Sequence, residues 1–270
     1  MSIERIAAKD FSPQVWDHHY SNSIPFVLEL EPSSFPCLDW SVESLKDIAQ
    51  DEKYVLYEMP GGKFVTSRND FIKHNLQMHE VCDLLLNTDN PNRFQMITEI
   101  KSNPAFFEQV QITEQLFSEI HNKIVQCNLW LNVGEFVSGF HNECFENLNL
   151  QISGTKRFVL FEPGVRDYYA KPILSGQGHT SHISDPDDYD EEKFVNFSNV
   201  KHKRHEVTLN AGDMLYLPIC WWHNVHTEGD TNININVWWM NTPKSVMQFP
   251  RQFISGIVTV AYRKFTNQLY

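Results

Sequence analysis

Two stretches of the chain alternate polar and apolar residues without interruption, and they constrain the fold more than any other feature of the sequence. They read NLNLQIS at 147–153 and NININVWW at 232–239. Successive side chains of a β-strand point to opposite faces, so each stretch predicts a strand with one amide-rich face and one aliphatic face. A row of short amides favours the lining of a small polar cavity, and a solvated sheet face is the alternative.

The regions around these stretches predict a mainly β fold. Short strand-like runs separated by turn residues follow one another from 127 to 239, a texture typical of a sandwich or barrel. The preceding part mixes helical and strand signals, and the last part predicts one or two amphipathic helices. We therefore predict a single domain with an α+β elaboration at 1–125, a β core at 126–240 and a C-terminal helical segment at 241–270.

The lack of a long apolar run, the charged start and the scattered cysteines predict a cytoplasmic protein, or a nuclear one if the source is eukaryotic. The chain has 270 residues, 41% of them hydrophobic, which is enough for one large core. No apolar run approaches the ~18 residues that a membrane span needs. The start, MSIERIAAKDFSPQVW, carries charges where a signal peptide needs an apolar run, and the five cysteines are scattered without a CxxC pair.

The charge balance bears on the partner. The 22 basic and 34 acidic residues give a net charge of −12, which repels phosphate backbones unless a basic patch is local. The stretch KHKRHE at 201–206 is short and reads as a charged strand edge. Nucleic acid is therefore disfavoured, and a neutral or basic protein or peptide substrate fits better.

Three residues have the chemistry of metal ligands. His141 and Glu143 stand two apart, so on an extended segment they project together, and His223 enters a later strand behind two tryptophans. Two imidazoles and one carboxylate on one face of an octahedral ion leave three positions open, an arrangement associated with non-haem Fe(II) and oxygen chemistry. The spacing alone is a weak signal, because an HxE pair and a distant histidine also arise by chance.

A lysine follows the first amide row. Gly154-Thr155 is expected to turn the chain, so that Lys156 begins the next strand, KRFVLF. A cation at that position either extends to water or meets an anion.

The motifs together resemble those of a known family. The segments are GFHNECFENLNLQISGTKRFVLFEP at 139–163, NAGDMLYLPICWWHNV at 210–225 and NINVWW at 234–239. Over about 20–240, the chain resembles the JmjC-type 2-oxoglutarate- and Fe(II)-dependent oxygenases. The nearest likeness is to the cupin-like hydroxylases typified by the asparaginyl hydroxylase that inhibits hypoxia-inducible factor.

This resemblance implies a double-stranded β-helix (jelly roll) and assigns roles to residues. His141, Glu143 and His223 would bind Fe(II), and Lys156 would pair with the distal carboxylate of 2-oxoglutarate. The glutamate departs from the aspartate of many relatives, although histone demethylases of the family also use glutamate. The remaining implied pocket residues are Asn147 and Asn236 at the carboxylate beside the metal, Ser138 on the distal side, Trp238 as a wall, and Gln95 where many relatives have tyrosine.

The resemblance also implies an activity. The expected reaction is hydroxylation of an amino-acid side chain in a protein or peptide, with O2 consumed and 2-oxoglutarate converted to succinate and CO2. Open alternatives are a hydroxylase of a modified tRNA base, a lysine demethylase, a non-oxygenase metal-binding cupin and a catalytically silent interaction module. Relatives often dimerise through C-terminal helices, so a homodimer through the segment 241–270 is expected as well.

Overall fold

The computed structural model describes most of the chain. The described residues are 2–48, 52–59, 64–65, 71–87, 92–164, 166–175, 177–241, 243 and 247–266. The strands among them are β1 (Glu4–Ala7), β2 (Phe26–Glu29), β3 (Lys53–Met59), β4 (Phe64–Val65), β5 (Ile72–Gln77), β6 (Arg93–Glu99), β7 (Ile124–Val133), β8 (Phe136–Val137), β9 (Glu146–Phe161), β10 (Arg204–Leu209), β11 (Asp213–Leu217) and β12 (Trp222–Trp239). The helices are α1 (Pro13–Asn22), α2 (Val42–Leu45), α3 (Met78–Leu86), α4 (Pro104–Phe107), α5 (Ile112–Leu116), α6 (Ser118–His121) and α7 (Pro250–Thr266).

Two long strands, β9 and β12, bend in the middle and take part in two sheets each. The first half of β9 pairs with β11 and with the second half of β12, whereas its second half pairs with β10 and with the first half of β12. Gly154 lies at the bend with a φ of +75°, and a Cβ atom there would lie 2.5 Å from the carbonyl oxygen of Thr231. Only glycine meets both conditions without strain. The expectation that Gly154-Thr155 separates two strands is therefore wrong, because β9 continues through it.

The strands form a jelly roll. All twelve described strands belong to one hydrogen-bonded network, whose main path has the order β1-β2-β11-β9-β12-β7-β6-β3-β5. Off this path, β10 pairs with β9, and β8 pairs with β12 and β4. We call the main path the larger sheet, and we call β10, β8 and β4, with the halves of β9 and β12 beside them, the smaller sheet. Because β9 and β12 pass from one sheet into the other, the chain winds as a double-stranded β-helix. The predicted mainly β, cupin-type fold is confirmed.

The aliphatic face of the larger sheet packs under the helices of the N-terminal elaboration. Leu148 and Leu150 of β9 and Ile233 and Ile235 of β12 belong to the largest cluster of buried apolar side chains. The helices α1 and α3 to α6 contribute to the same cluster Trp16, Val81, Phe106, Ile112 and Ile120. The aliphatic halves of the two alternating stretches are therefore core residues.

The amide face is buried as well. Asn149, Gln151, Asn232 and Asn234 are each exposed by 6% or less. The alternative of a solvated sheet face is therefore wrong. Burial of so many amides requires hydrogen-bond partners or a ligand, because an unpaired polar group inside a protein costs free energy.

The C-terminal helix α7 begins at Pro250 and lies against the segment that carries Glu143. Its Gly256 packs against Cys144, whereas Ile254 and Ile257 are about half exposed. The predicted helical segment is confirmed over α7, and the homodimer stays a prediction. Among the described helices, none combines the length and the hydropathy that a bilayer crossing requires.

Gly256→Ala tests the packing of α7. Helix propensity alone would stabilise the protein by about 1 kcal/mol, since alanine is the better helix former. The new Cβ atom would, however, lie 2.5 Å from Sγ and 2.8 Å from Cβ of Cys144, and overpacking of this kind costs roughly 1–3 kcal/mol. We expect a lower free energy of unfolding in urea, and recovery when Cys144→Gly is added. A more stable Gly256→Ala variant would contradict this packing.

Candidate metal centre

The backbone brings the two candidate histidine ligands together. The amide of His141 donates to the carbonyl oxygen of His223 at 3.0 Å, and the amide of His223 donates back to the carbonyl of His141 at 2.7 Å. The centroids of the two imidazole rings lie 4.1 Å apart. A residue pair that exchanges both hydrogen bonds is fixed in register, so the rings cannot separate without breaking the bridge.

The second nitrogen of each ring binds a backbone carbonyl. His141 Nδ1 lies 2.7 Å from the carbonyl oxygen of Gly139, and His223 Nδ1 lies 3.1 Å from that of Trp221. A carbonyl oxygen only accepts hydrogen bonds, so Nδ1 carries a proton in both rings, and Nε2 has the free lone pair in the neutral form of each ring. Metal-binding histidines are oriented in this way.

Glu143 completes a group of three ligand atoms. Its Oε1 lies 3.9 Å from His141 Nε2, and the ligand atoms of the three residues all lie within 4.8 Å of one another. Burial alone would raise the pKa of Glu143, but the two imidazoles and a hydrogen bond from Asn147 outweigh it and lower the pKa. Burial, with His141 nearby, lowers the pKa of His223 to about 4. At neutral pH an anionic carboxylate therefore faces a neutral imidazole of His223, which is the form that binds divalent metal ions.

A cation is buried on the same inner surface. Lys156 is 5% exposed, and its Nζ donates to Oδ1 of Asn234 at 2.9 Å and lies 5.4 Å from the centroid of the Trp130 ring. Within the described part of the chain, no carboxylate forms a salt bridge with this ammonium group. Burial lowers the pKa of Lys156 to about 7. A buried cation without an anion is costly, so the site suits an anionic ligand.

The amide face connects Lys156 with the three ligands. Asn147 Nδ2 donates to Oε2 of Glu143 at 3.1 Å, at one end of the row. Gln151, farther along the same face of β9, accepts from Asn234, the partner of Lys156. The same inner surface also carries buried polar atoms that have no hydrogen-bond partner among the described residues. They are Asn147 Oδ1, Asn132 Oδ1, Gln95 Nε2 and Trp238 Nε1. Such atoms indicate a polar ligand or bound water.

The other predicted pocket residues fall in different surroundings. Asn236 Oδ1 accepts from Trp130 Nε1 at 2.6 Å, and the Trp238 ring stacks on Phe145 with centroids 5.7 Å apart. Gln95 is buried on β6, in register with Asn132. The Ser138 hydroxyl accepts from the amide of Val225 at 2.8 Å, so it joins two segments of backbone and keeps its proton and one lone pair for a ligand. The roles assigned to these residues stay predictions.

Two residues of the pocket were not singled out from the sequence. Asn234 and Trp130 contact Lys156, yet only Asn236 was selected from the row of three asparagines on β12. The alternation placed Asn234 on the correct face. Trp130 has the same parity as Asn128 and Asn132 in CNLWLNV, so the alternation of side chains also places Trp130 on the amide face.

A second group of potential ligands lies on the outer face of the smaller sheet. Asp185, Asp187 and His226 also place ligand atoms within 4.8 Å of one another. Asp187, however, accepts hydrogen bonds from both Arg157 and Arg204. Two guanidinium groups beside the carboxylate oppose a metal cation, so the group of His141 is the better metal site.

Comparisons with known proteins identify a family and several similar sequences. The family model described as "Cupin-like domain" matches residues 12–245. The tRNA wybutosine-synthesizing protein 5 of Gallus gallus is 33% identical over 57% of this chain and 42% of its own length. The protein of the same name from Homo sapiens is 33% identical over 52% of this chain and 38% of its own. Lysine-specific demethylase 8 of Xenopus tropicalis is 26% identical over 83% of this chain and 49% of its own. The chain thus spans less than half the length of each.

Lys156→Met tests the burial of an unpaired cation. The pKa of Lys156 falls from 10.5 to about 7 on folding, so below pH 7 both states are protonated and the full cost of the buried charge is present. Between these values the unfolded state binds more protons, and the cost declines as pH rises. With about 1.4 kcal/mol per pKa unit, less the lost hydrogen bond, we expect Lys156→Met to gain roughly 2–4 kcal/mol at pH 6.

The gain should shrink steadily towards pH 10 when the free energy of unfolding is measured in urea without ligands. Lys9→Met, at an exposed position, serves as the matched control and should show no such trend. A Lys156→Met variant that is less stable at pH 6 and equally so at pH 10 would contradict the burial of an uncompensated charge.

Proposed function

The chain belongs to the cupin-like domain family, and from this premise we propose that it is a 2-oxoglutarate- and Fe(II)-dependent oxygenase that hydroxylates its substrate. The observation that carries the proposal is the pairing of two features on one buried polar face. One is the set of His141, Glu143 and His223 ligand atoms within 4.8 Å of one another. The other is the Lys156 ammonium group, which lacks an anionic partner among the described residues.

The donor set fits ferrous iron. The Nε2 atoms of His141 and His223 and a carboxylate oxygen of Glu143 would hold the ion, and this number of ligands leaves positions open for other groups. Bound Fe(II) with 2-oxoglutarate would supply the activation of O2 for insertion of one oxygen atom into a C–H bond, with succinate and CO2 as co-products. His141 and Glu143 are partly exposed, whereas Lys156 is buried, so substrate would approach from the side of the ligands.

The polar face fits the cosubstrate. Lys156 would bind the distal carboxylate of 2-oxoglutarate, a charge-assisted hydrogen bond in a site shielded from water. Asn147 and Asn236 would orient the end of the molecule near the ligands, with Trp238 as a wall, and Ser138 and Gln95 would complete the pocket. Neutralisation of the ammonium by the carboxylate would remove the cost of burying it, so binding and stability are linked.

The combination favours an oxygenase over a non-oxygenase cupin or a silent interaction module. A metal-binding isomerase would also need metal ligands, but Lys156 together with Asn147 and Asn236 is the set that suits 2-oxoglutarate. A catalytically silent module needs neither the three metal ligands nor the buried ammonium group. The retention of both features therefore favours the oxygenase.

The substrate class has two candidates. The relatives named as tRNA wybutosine-synthesizing proteins favour a modified tRNA base, and they support this alternative better than protein side-chain hydroxylation. The net charge of −12 and the engagement of Arg5, Arg157 and Arg204 by carboxylates favour a protein or peptide instead. Relatives named as lysine-specific demethylases extend the second class to methylated lysine, whose N-methyl group is lost after the same hydroxylation. The likeness to the asparaginyl hydroxylase stays a prediction.

Turnover of 2-oxoglutarate tests the reaction. The iron-loaded protein is expected to release succinate in the presence of O2, and His223→Ala should abolish the release. Lys156→Ala should raise the apparent KM for 2-oxoglutarate by about 10- to 100-fold, the effect of losing a hydrogen bond to a charged group. His202→Ala, at an exposed position, is the control and should behave as the parent protein. An unchanged KM in Lys156→Ala would refute the assignment of the cosubstrate.

The substrate class is tested by offering the iron-loaded protein bulk tRNA and a peptide mixture in parallel. The true class should stimulate succinate release and gain the mass of one oxygen atom, or lose a methyl group, in mass spectrometry. The inactive His223→Ala variant is the control for both arms. If RNA is the substrate, stimulation should fall steeply as salt increases, since phosphate contacts release counterions. Stimulation by peptides alone would exclude the tRNA alternative.

A further inference from the structure

A chain of buried side-chain amides begins at Lys156. Lys156 Nζ donates to Asn234 Oδ1 at 2.9 Å, and Asn234 Nδ2 donates to Gln151 Oε1 at 3.2 Å and to the carbonyl of Leu150 at 2.8 Å. Gln151 Nε2 then donates to Asn232 Oδ1 at 3.0 Å. Asn232 Nδ2 donates to the carbonyl of Thr155 at 2.7 Å. The three amides, Gln151, Asn232 and Asn234, are each exposed by 3% or less.

The hydrogen bonds along this chain of amides can run in only one direction, from Lys156 to the carbonyl of Thr155. An ammonium group can only donate, so Asn234 must turn its oxygen towards Lys156 and its nitrogen towards Gln151. A backbone carbonyl can only accept, so the last nitrogen must point at Thr155. Each amide between these ends therefore has a single orientation that satisfies its neighbours. A donor-only group at one end and an acceptor-only group at the other thus fix the position of the Asn234 carbonyl.

We infer that Asn234 is a positioning residue for the cosubstrate: its carbonyl, held by Gln151 and Leu150, directs the Lys156 ammonium at the distal carboxylate of 2-oxoglutarate. The inference rests on the proposed function, which assigns Lys156 but no residue that aims it. One of the three ammonium protons points at Asn234, and the flexible side chain is thereby held on the polar face. In the described part of the chain this ammonium group makes no second hydrogen bond, so its other protons are left for an incoming anion.

The neutrality of the partner matters as much as its position. A carboxylate in place of Asn234 would pair with Lys156 and cancel the charge that the ligand needs. An amide supplies an acceptor and leaves the charge intact, so a dicarboxylate is selected over ligands that lack a second carboxylate. Trp130, whose ring centroid lies 5.4 Å from Nζ, borders the ammonium on another side without neutralising it.

Two ligands separate positioning from general support of the fold. Oxalylglycine carries a distal carboxylate, whereas oxalate can occupy only the end near the metal. Binding of each is measured by calorimetry on protein loaded with Mn²⁺. Asn234→Leu keeps the branched shape but not the acceptor, and we expect it to weaken oxalylglycine roughly tenfold while leaving oxalate unchanged. Asn234→Ser is smaller but keeps an acceptor, and it should stay within about threefold of the parent protein.

A cycle with Lys156→Ala adds a second readout. If Asn234 acts only through Lys156, Asn234→Leu should have no further effect on oxalylglycine once Lys156→Ala is present. Asn232→Ala is the matched control, because Asn232 belongs to the same chain of amides but does not contact Lys156. It should weaken oxalylglycine less than Asn234→Leu does.

The outcomes separate the inference from the proposed function. Asn234→Leu overturns the inference if it leaves oxalylglycine binding unchanged, weakens both ligands alike, or adds its full effect to that of Lys156→Ala. The proposed function itself fails if the parent protein binds oxalylglycine no better than oxalate, or if Lys156→Ala does not weaken it. If Asn234→Leu does not fold, the test rests on Asn234→Ser. A tenfold or greater loss of oxalylglycine affinity in that variant, with oxalate affinity unchanged, refutes the role of the acceptor.

Discussion

The burial of one ammonium group without an anion is the constraint on which the rest of the pocket depends. Lys156 is almost inaccessible, and burial alone brings its pKa down to about 7. The surrounding groups are amides and an indole ring, which can accept or border a cation without neutralising it. Two stretches of alternating sequence provide these amides. The composition of the polar face therefore follows from the need to hold a charge ready for a ligand.

The jelly roll allows a sheet to carry such a face. A strand with amides on one side and aliphatic groups on the other is unstable unless both sides are covered and the amides are paired. Helices of the N-terminal elaboration cover the aliphatic side, and the amides of the other side are buried as well. The bend at Gly154 lets β9 belong to both sheets, so one strand carries Asn147 beside Glu143 and also Lys156. The bend of β9 at Gly154 therefore serves both the fold and the site.

Much of this arrangement could be predicted from particular residues, and the rest depends on pairing between distant segments. Alternation alone placed Asn149 and Leu150 on opposite faces, and the motifs placed His141, Glu143 and His223 together. Parity could not select Asn234 from the row of Asn232, Asn234 and Asn236, because all three share one face. Which of these asparagines meets Lys156 depends on the register between β9 and β12, and this register shifts between Glu228 and Ile233. Nor could composition show that the Ser138 hydroxyl already accepts a hydrogen bond from the backbone.

The choice between the two substrate classes also depends on local features more than on a property of the whole chain. A net charge of −12 describes the whole surface, but fields in physiological salt decay within about 8 Å, so only charges near the mouth of the pocket act on an approaching ligand. The ion pairs of Arg157 and Arg204 with Asp187 and Glu206 lie at the surface, where each contributes about 1 kcal/mol or less, so phosphates could displace them. The stacked rings of Phe145, two residues after Glu143, and Trp238 suit a planar base or an extended side chain equally. Net charge is therefore a weak argument against RNA, and the relatives carry more weight in ranking the two substrate classes.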